Sequence, residues 1–227
     1  VDGQYTDGTA PLVKQVRAPG NLGIPSNNYT FLFTPENIRS TTEKSPNINN
    51  NDNLANNGTD VSGDDNKITV AIGAKAAGDL TDGGYGYSYY KDAGVNVLAD
   101  TTFPHAGVYS YTIREDIPSD AALGNGFVTY SLAEYTMDVY VANPGTTENP
   151  SAGLKVTYVQ FTKVKNDDGT AVSGSGVKAP LEFINTYNKS IPFEVSNITT
   201  GNYANLDQTF EYDLTITAAA GITNATY

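Results

Sequence analysis

A period of two governs the apolar residues of this chain. In LEFINTY, residues 181–187, Leu181, Phe183, Asn185 and Tyr187 fall on one face of an extended strand and the intervening residues on the other. Similar strand-like runs recur as PLVKQV (11–16), YTFLFTP (29–35), KITVAIG (67–73), VYSYTIRE (108–115), FVTYSL (127–132), YTMDVYVA (135–142) and LKVTYVQFTKV (154–164). Turn residues separate them, as in NDDGT (166–170), where Asp-Gly permits a tight hairpin. The 227 residues include 16 tyrosines and 22 glycines, and long stretches of strong helix formers are almost absent. These features predict an all-β fold, an Ig-like or Greek-key β-sandwich.

A formal net charge of −12 opposes binding to nucleic acid or to an anionic membrane, whose phosphates require a basic surface. With no cysteine, the chain has no disulfides, zinc thiolate sites or thiol nucleophiles. No apolar run approaches the length of a membrane-spanning helix, and the first residues lack the pattern of a signal peptide, so the chain reads as a mature or excised fragment. Residues 36–66, rich in Asn, Asp and Gly, read as a long insertion loop on the surface. Their acidic and amide side chains lack the spacing of a calcium loop, and no cofactor is expected. After residue 188 the strand pattern restarts, at 193–199 and 209–217. The expected organisation is therefore a sandwich domain over 1–188 and the first strands of a second, incomplete domain over 189–227.

Three polar residues break the apolar faces. Lys14 shares a face with Leu12 and Val16, Glu115 continues the series Tyr109, Tyr111, Ile113, and Asn185 sits among Leu181, Phe183 and Tyr187. Taken singly, each is explained by a strand end, a snorkelling stem or a satisfied buried amide. Taken together they imply a meeting, because an unpaired buried charge costs several kcal/mol. Burial lowers the pKa of a lysine and raises that of a glutamate. A neutral Lys14 amine can then attack the Asn185 side-chain carbonyl, while a protonated Glu115 polarises that carbonyl and shuttles protons. Ammonia leaves, and the product is an internal isopeptide bond.

The segments PLVKQV, FPHAGVYSYTIRED and LEFINTYN resemble the isopeptide-linked major (backbone) pilin domains of Gram-positive bacteria, of the streptococcal T-antigen type. The middle segment is similar to that family's F-x-x-x-G-x-Y-x-Y-x-I-x-E pattern, with Phe103, Gly107, Tyr109, Tyr111, Ile113 and Glu115 in place. The last is similar to its F-x-N-x-Y closing strand, with Phe183, Asn185 and Tyr187. The resemblance implies that Lys14 is the nucleophile, Asn185 the electrophile and Glu115 the catalyst of a bond tying the first strand of the domain to the last. It further implies a structural subunit of a surface pilus, extracellular and attached to the cell wall, partnered by neighbouring pilin subunits. It also makes Lys178, in SGVKAPLEFIN, the first candidate for a sortase acceptor, although no LPxTG-like motif occurs in this chain. In the restarted pattern Asn197 stands where a nucleophilic lysine would, so no second bond is expected within these residues.

A second reading is a cell-surface adhesin, a β-sandwich whose tyrosine-rich loops, such as GGYGYSYYKD (83–92), stack on glycans or a host protein through Tyr87 and Tyr89. A hydrolase finds little support: the single histidine, His105, lies in a turn and lacks an evident nucleophile. The sequons at Asn28, Asn57, Asn188, Asn197 and Asn224 are expected by chance in a chain so rich in Asn and Thr.

Overall fold

A computed structural model describes residues 3–19, 26–48, 66–74, 76, 89–118, 128–143, 153–187, 200–201, 209 and 211. The chain divides into two compact units, Val1–Ser190 and Ile191–Tyr227. Of the second, only Thr200, Gly201, Thr209 and Glu211 are described, so the strands expected at 193–199 and 209–217, and Asn197, lie outside the described residues.

In the first unit every regular element described is a strand: β1 (Gln4–Tyr5), β2 (Pro11–Ala18), β3 (Asn27–Pro35), β4 (Lys67–Ile72), β5 (Tyr89–Asn96), β6 (Gly107–Glu115), β7 (Val128–Thr129), β8 (Glu134–Ala142), β9 (Lys155–Lys165), β10 (Val177–Lys178) and β11 (Leu181–Tyr187). A seven-stranded sheet runs β1-β9-β8-β6-β3-β4, with β10 also on β9, and a four-stranded sheet runs β5-β2-β11-β7. The strands β2 and β11, far apart in sequence, pair in parallel, with Leu12 opposite Leu181, Lys14 opposite Phe183 and Val16 opposite Asn185. A parallel pair cannot be closed by a hairpin, so this contact depends on everything folded between the two strands.

The two sheets meet through their alternating faces. Phe31, Phe33, Tyr109, Tyr111, Ile113, Tyr135, Met137 and Phe161 of the larger sheet are buried, as are Leu12, Val16, Leu181 and Phe183 of the smaller. Phe183 bridges them, with its ring centroid 4.8 Å from Phe31 and 5.3 Å from Tyr135. Burying side chains of this size contributes roughly 1.5–3 kcal/mol each. The all-β sandwich expected from the period of two is the fold observed.

Several local expectations are corrected. Among the described residues of the run 127–132, only Val128–Thr129 form a strand. Beyond it the backbone donors leave the ladder: Ser131 N–H goes to the Asn185 side chain, Leu132 N–H to the Asp167 carbonyl and Ala133 N–H to the Ser131 hydroxyl. Part of the tyrosine-rich segment read as a loop is strand β5, whose residues pair with β2 from Pro11 to Ala18. Its alternation was hidden by Lys91, Asp92 and Gly94, and at Gly94 a Cβ would approach the Leu12 carbonyl to 3.2 Å. The insertion is also more than a surface loop. Ile38 and Ile48 are buried, Ser45 accepts from Ser110 N–H at 3.0 Å, and Tyr111 donates to the Pro46 carbonyl at 2.8 Å. Residues 36–48 thus cover one end of the core with two well-spaced isoleucines, a signal too sparse to register as a pattern.

Candidate functional site

The alternation that builds the core also delivers the three polar residues to one place. Lys14 comes from the middle of β2, Asn185 from β11 beside it on the same inward face, and Glu115 from the last position of β6 in the opposite sheet. Lys14 and Asn185 are fully buried, and Glu115 is 4% exposed. Lys14 Nζ donates to Glu115 Oε2 at 2.7 Å, and Asn185 Nδ2 donates to Glu115 Oε1 at 2.8 Å, so one carboxylate joins amine and amide. The aromatic faces of Tyr29 and Phe31 lie 4.8 and 5.9 Å from the ammonium, which excludes water while offering some cation–π attraction.

This setting acts on protonation. Burial lowers the Lys14 pKa to about 8, although the neighbouring Glu115 carboxylate pulls the other way. Burial likewise raises the Glu115 pKa, opposed by its bonds from Lys14 and Asn185. Both groups are displaced towards their neutral forms, and a proton handed from ammonium to carboxylate removes two charges from a dry core.

One feature departs from the sequence expectation. The carbonyl of Asn185 does not face Glu115; its Oδ1 accepts from the Ser131 backbone N–H at 2.7 Å. A backbone N–H can only donate, so the atom facing it is the oxygen and the amino end of the amide is left to the carboxylate. Ser131 itself was missed by sequence reasoning, because a main-chain donor carries no residue signature.

The segment holding that donor is anchored by the NDDGT turn. Ser131 Oγ donates to Asp167 Oδ1 at 2.6 Å, and Leu132 N–H donates to the Asp167 carbonyl at 2.9 Å. Asp167 Oδ1 also accepts from Ile184 N–H at 3.0 Å, next to Asn185 on β11, and Lys163 Nζ lies 2.9 Å from Oδ2. Burial pushes the Asp167 carboxyl up, but the bonds from Ser131, Lys163 and Ile184 outweigh it and hold the group below its ordinary value.

Two surface clefts, about 460 and 320 Å³, each include Glu115 in their lining; the first is also lined by Tyr29, Ile117 and Tyr130, the second by Ser131, Leu132 and Lys165. Among the described residues no cluster of His, Asp or Glu is arranged to hold a metal ion. Lys178 does not join the buried cluster: it is exposed on β10, opposite Thr162. His105 precedes β6, with Nε2 3.4 Å from Glu43 and Nδ1 2.9 Å from the Ala106 carbonyl. Tyr87 lies outside the described residues, and Tyr89 belongs to β5.

Residues 12–188 match the family model FctA, described as a Spy0128-like isopeptide containing domain. No curated protein matches the chain. Among solved structures, the T-13 and T3.2 major pilin proteins of Streptococcus pyogenes each align with a TM-score of 0.49 at 19% identity, over 82% of this chain and 54% of theirs. A further major pilin of Streptococcus pyogenes aligns with a TM-score of 0.44 at 21% identity, over 80% of this chain and 51% of its own. The chain therefore spans about half the length of these pilins.

Proposed function

Because the chain belongs to the FctA family of Spy0128-like isopeptide containing domains, we propose that it is a structural subunit of a bacterial surface pilus, locked by an intramolecular amide between Lys14 and Asn185. The observation that carries this reading is the buried Glu115 carboxylate, bonded on one oxygen to the amine and on the other to the amide.

The reaction follows from that arrangement. Glu115 takes a proton from the Lys14 ammonium, and the freed amine attacks Cγ of Asn185. As the new C–N bond forms, the carbonyl electron pair moves onto Oδ1, which the Ser131 N–H stabilises. Glu115 returns a proton to Nδ2, which it already contacts, and the C–Nδ2 bond breaks. The carbonyl re-forms from Oδ1, the attacking nitrogen passes its remaining extra proton to the Glu115 carboxylate beside it, and ammonia departs, leaving an amide and a neutral Glu115. Amine and amide are held on neighbouring strands, so this single event within one molecule exploits proximity and needs no turnover.

A covalent tie between β2 and β11 closes a loop around nearly the whole first unit. Load applied at its ends then runs through a covalent link and cannot peel the two strands apart. Such a tie suits an extracellular fibre made of a chain without cysteine. The domain reading continues from this: residues 1–188 form the crosslinked domain, and 189–227 begin another. In a fibre, neighbouring copies of the subunit are its partners, and Lys178, exposed at the sheet edge, is the site on which we place a sortase linkage.

Two measurements test the reading. Proteolysis followed by tandem mass spectrometry is expected to yield a branched peptide joining the Lys14 and Asn185 fragments; recovery of both fragments unlinked would overturn the crosslink. Antibody raised to the chain is expected to label fibres on the surface of the source cells, and label confined to the cell interior would overturn the pilus assignment.

A further inference from the structure

The strained logistics of the site lie on the electrophile's side. A backbone N–H stabilises a developing oxyanion only if it is fixed beforehand, since any reorganisation during reaction is subtracted from its effect. Ser131 lies just past the two-residue strand β7, where no ladder holds it. What holds it is Asp167. The carboxylate accepts from the Ser131 hydroxyl, the Asp167 carbonyl accepts from Leu132 N–H, and the same Oδ1 accepts from Ile184 N–H on the strand that carries Asn185. Ala133 N–H in turn donates to the Ser131 hydroxyl. One turn residue therefore fixes both the donor and the strand that presents the acceptor. The turn is seated on this segment by close packing: a Cβ at Gly169, where φ is +83°, would come within 3.1 Å of Leu132 Cδ1.

We propose that Asp167 is a positioning residue for isopeptide formation, clamping the Ser131 N–H onto the Asn185 carbonyl oxygen where negative charge develops. The proposal rests on the reading of Lys14, Glu115 and Asn185 as a bond-forming set. Asp167 does not touch the reacting atoms; it acts through Ser131 and through β11. Its ion pair with Lys163 keeps the carboxylate available as an acceptor, and the Tyr135 ring, 5.4 Å from the Lys163 ammonium, covers that pair. The charge on Asp167 also bears on the reacting pair, raising the pKa of both Lys14 and Glu115.

The test follows bond formation in the whole chain during cell-free synthesis, with samples quenched in acid at intervals and read by intact mass as the loss of about 17 Da. Asp167→Ala and Ser131→Ala are expected to slow the loss on the order of tenfold to a hundredfold, short of the effect of deleting an oxyanion donor outright. Asp167→Asn retains an oxygen that can accept from Ser131 and Ile184, and is expected to recover most of the rate. It should also move the pH–rate profile to lower pH, because the charge that raises the Lys14 and Glu115 pKa values is gone. The shift reports the lost charge, whereas the contrast between a slow Asp167→Ala and a rescued Asp167→Asn reports the hydrogen bonds that position Ser131 and β11. Wild-type rates in Asp167→Ala and Ser131→Ala, with a normal mass loss in the parent chain, would overturn the positioning role alone. Absence of any mass loss in the parent would overturn the bond-forming reading and the positioning role with it. Should Asp167→Ala fail to fold, Ser131→Ala decides the question: slowed bond formation supports the clamp, and a wild-type rate overturns it.

Discussion

Two lysine–glutamate pairs in this protein have almost the same contact geometry and opposite consequences. Lys14 and Glu115 meet at 2.7 Å with side chains 0% and 2% exposed; Lys165 and Glu134 meet at 3.0 Å with side chains 46% and 30% exposed. Water solvates the second pair and screens it, so it contributes at most about 1 kcal/mol. The first pair has no water to compensate for desolvation, and its members are driven towards a neutral amine and a neutral acid beside a fixed amide. The contact is common to both; burial displaces only one of them towards its neutral forms, which is what the proposed bond requires.

The largest expected effect comes from breaking the buried pair on one side. Glu115→Ala should abolish the mass loss and strand an ammonium in the core. That costs about 3–5 kcal/mol for the unpaired charge, in addition to the crosslink, worth about 5 kcal/mol if it acts as a disulfide closing a comparably long loop does. Denaturant unfolding beside the parent chain measures the sum. Next, the double substitution Lys14→Met with Glu115→Leu removes both charges at once. It should remain uncrosslinked yet exceed Glu115→Ala in stability by about 3 kcal/mol, because apolar replacements leave nothing unpaired. A double variant no more stable than the single one would show that the buried charge is not what sets this site apart.

A smaller effect appears in pH. In Asn185→Ala no bond can form, so Lys14 keeps its amine, with a folded pKa lowered to about 8 by burial against 10.5 when unfolded. Between those values the unfolded chain binds more protons than the folded one, and stability rises with pH. A parent crosslinked as proposed would carry an amide there and lack the rise, so the difference between the two unfolding curves, measured from pH 8 to 10, is expected to isolate the buried amine. The smallest effect belongs to the surface pair: Lys165→Ala should change stability by less than about 1 kcal/mol and leave the mass loss intact.

The contrast between the pairs also explains what the sequence could disclose. Parity along β2, β6 and β11 was enough to turn Lys14, Glu115 and Asn185 inward, because a strand allows only two faces and apolar neighbours mark the buried one. Which inward residues would meet is a matter of pairing across the sandwich, and there the resemblance to a pilin family supplied the link. Strand β5 escaped because its charged Lys91 and Asp92 dilute the alternation. Ile38 and Ile48 escaped because isolated apolar residues in a polar stretch have no period. Ser131 was illegible for a deeper reason: its contribution to the site is a main-chain N–H, aimed by a turn thirty-odd residues further along the chain. The NDDGT turn was read correctly as a turn, yet nothing in those five letters shows that Asp167 reaches back to the reacting amide.

The most direct test of the account is the intact mass of the purified chain, compared with that of Lys14→Ala and Glu115→Ala. The parent is expected to be about 17 Da lighter than its sequence, the mass of one ammonia, and each variant to show its full sequence mass. A parent at full sequence mass would mean that Lys14 and Glu115 form an ordinary buried ion pair, and would contradict the claim that this core is built to close a covalent bond.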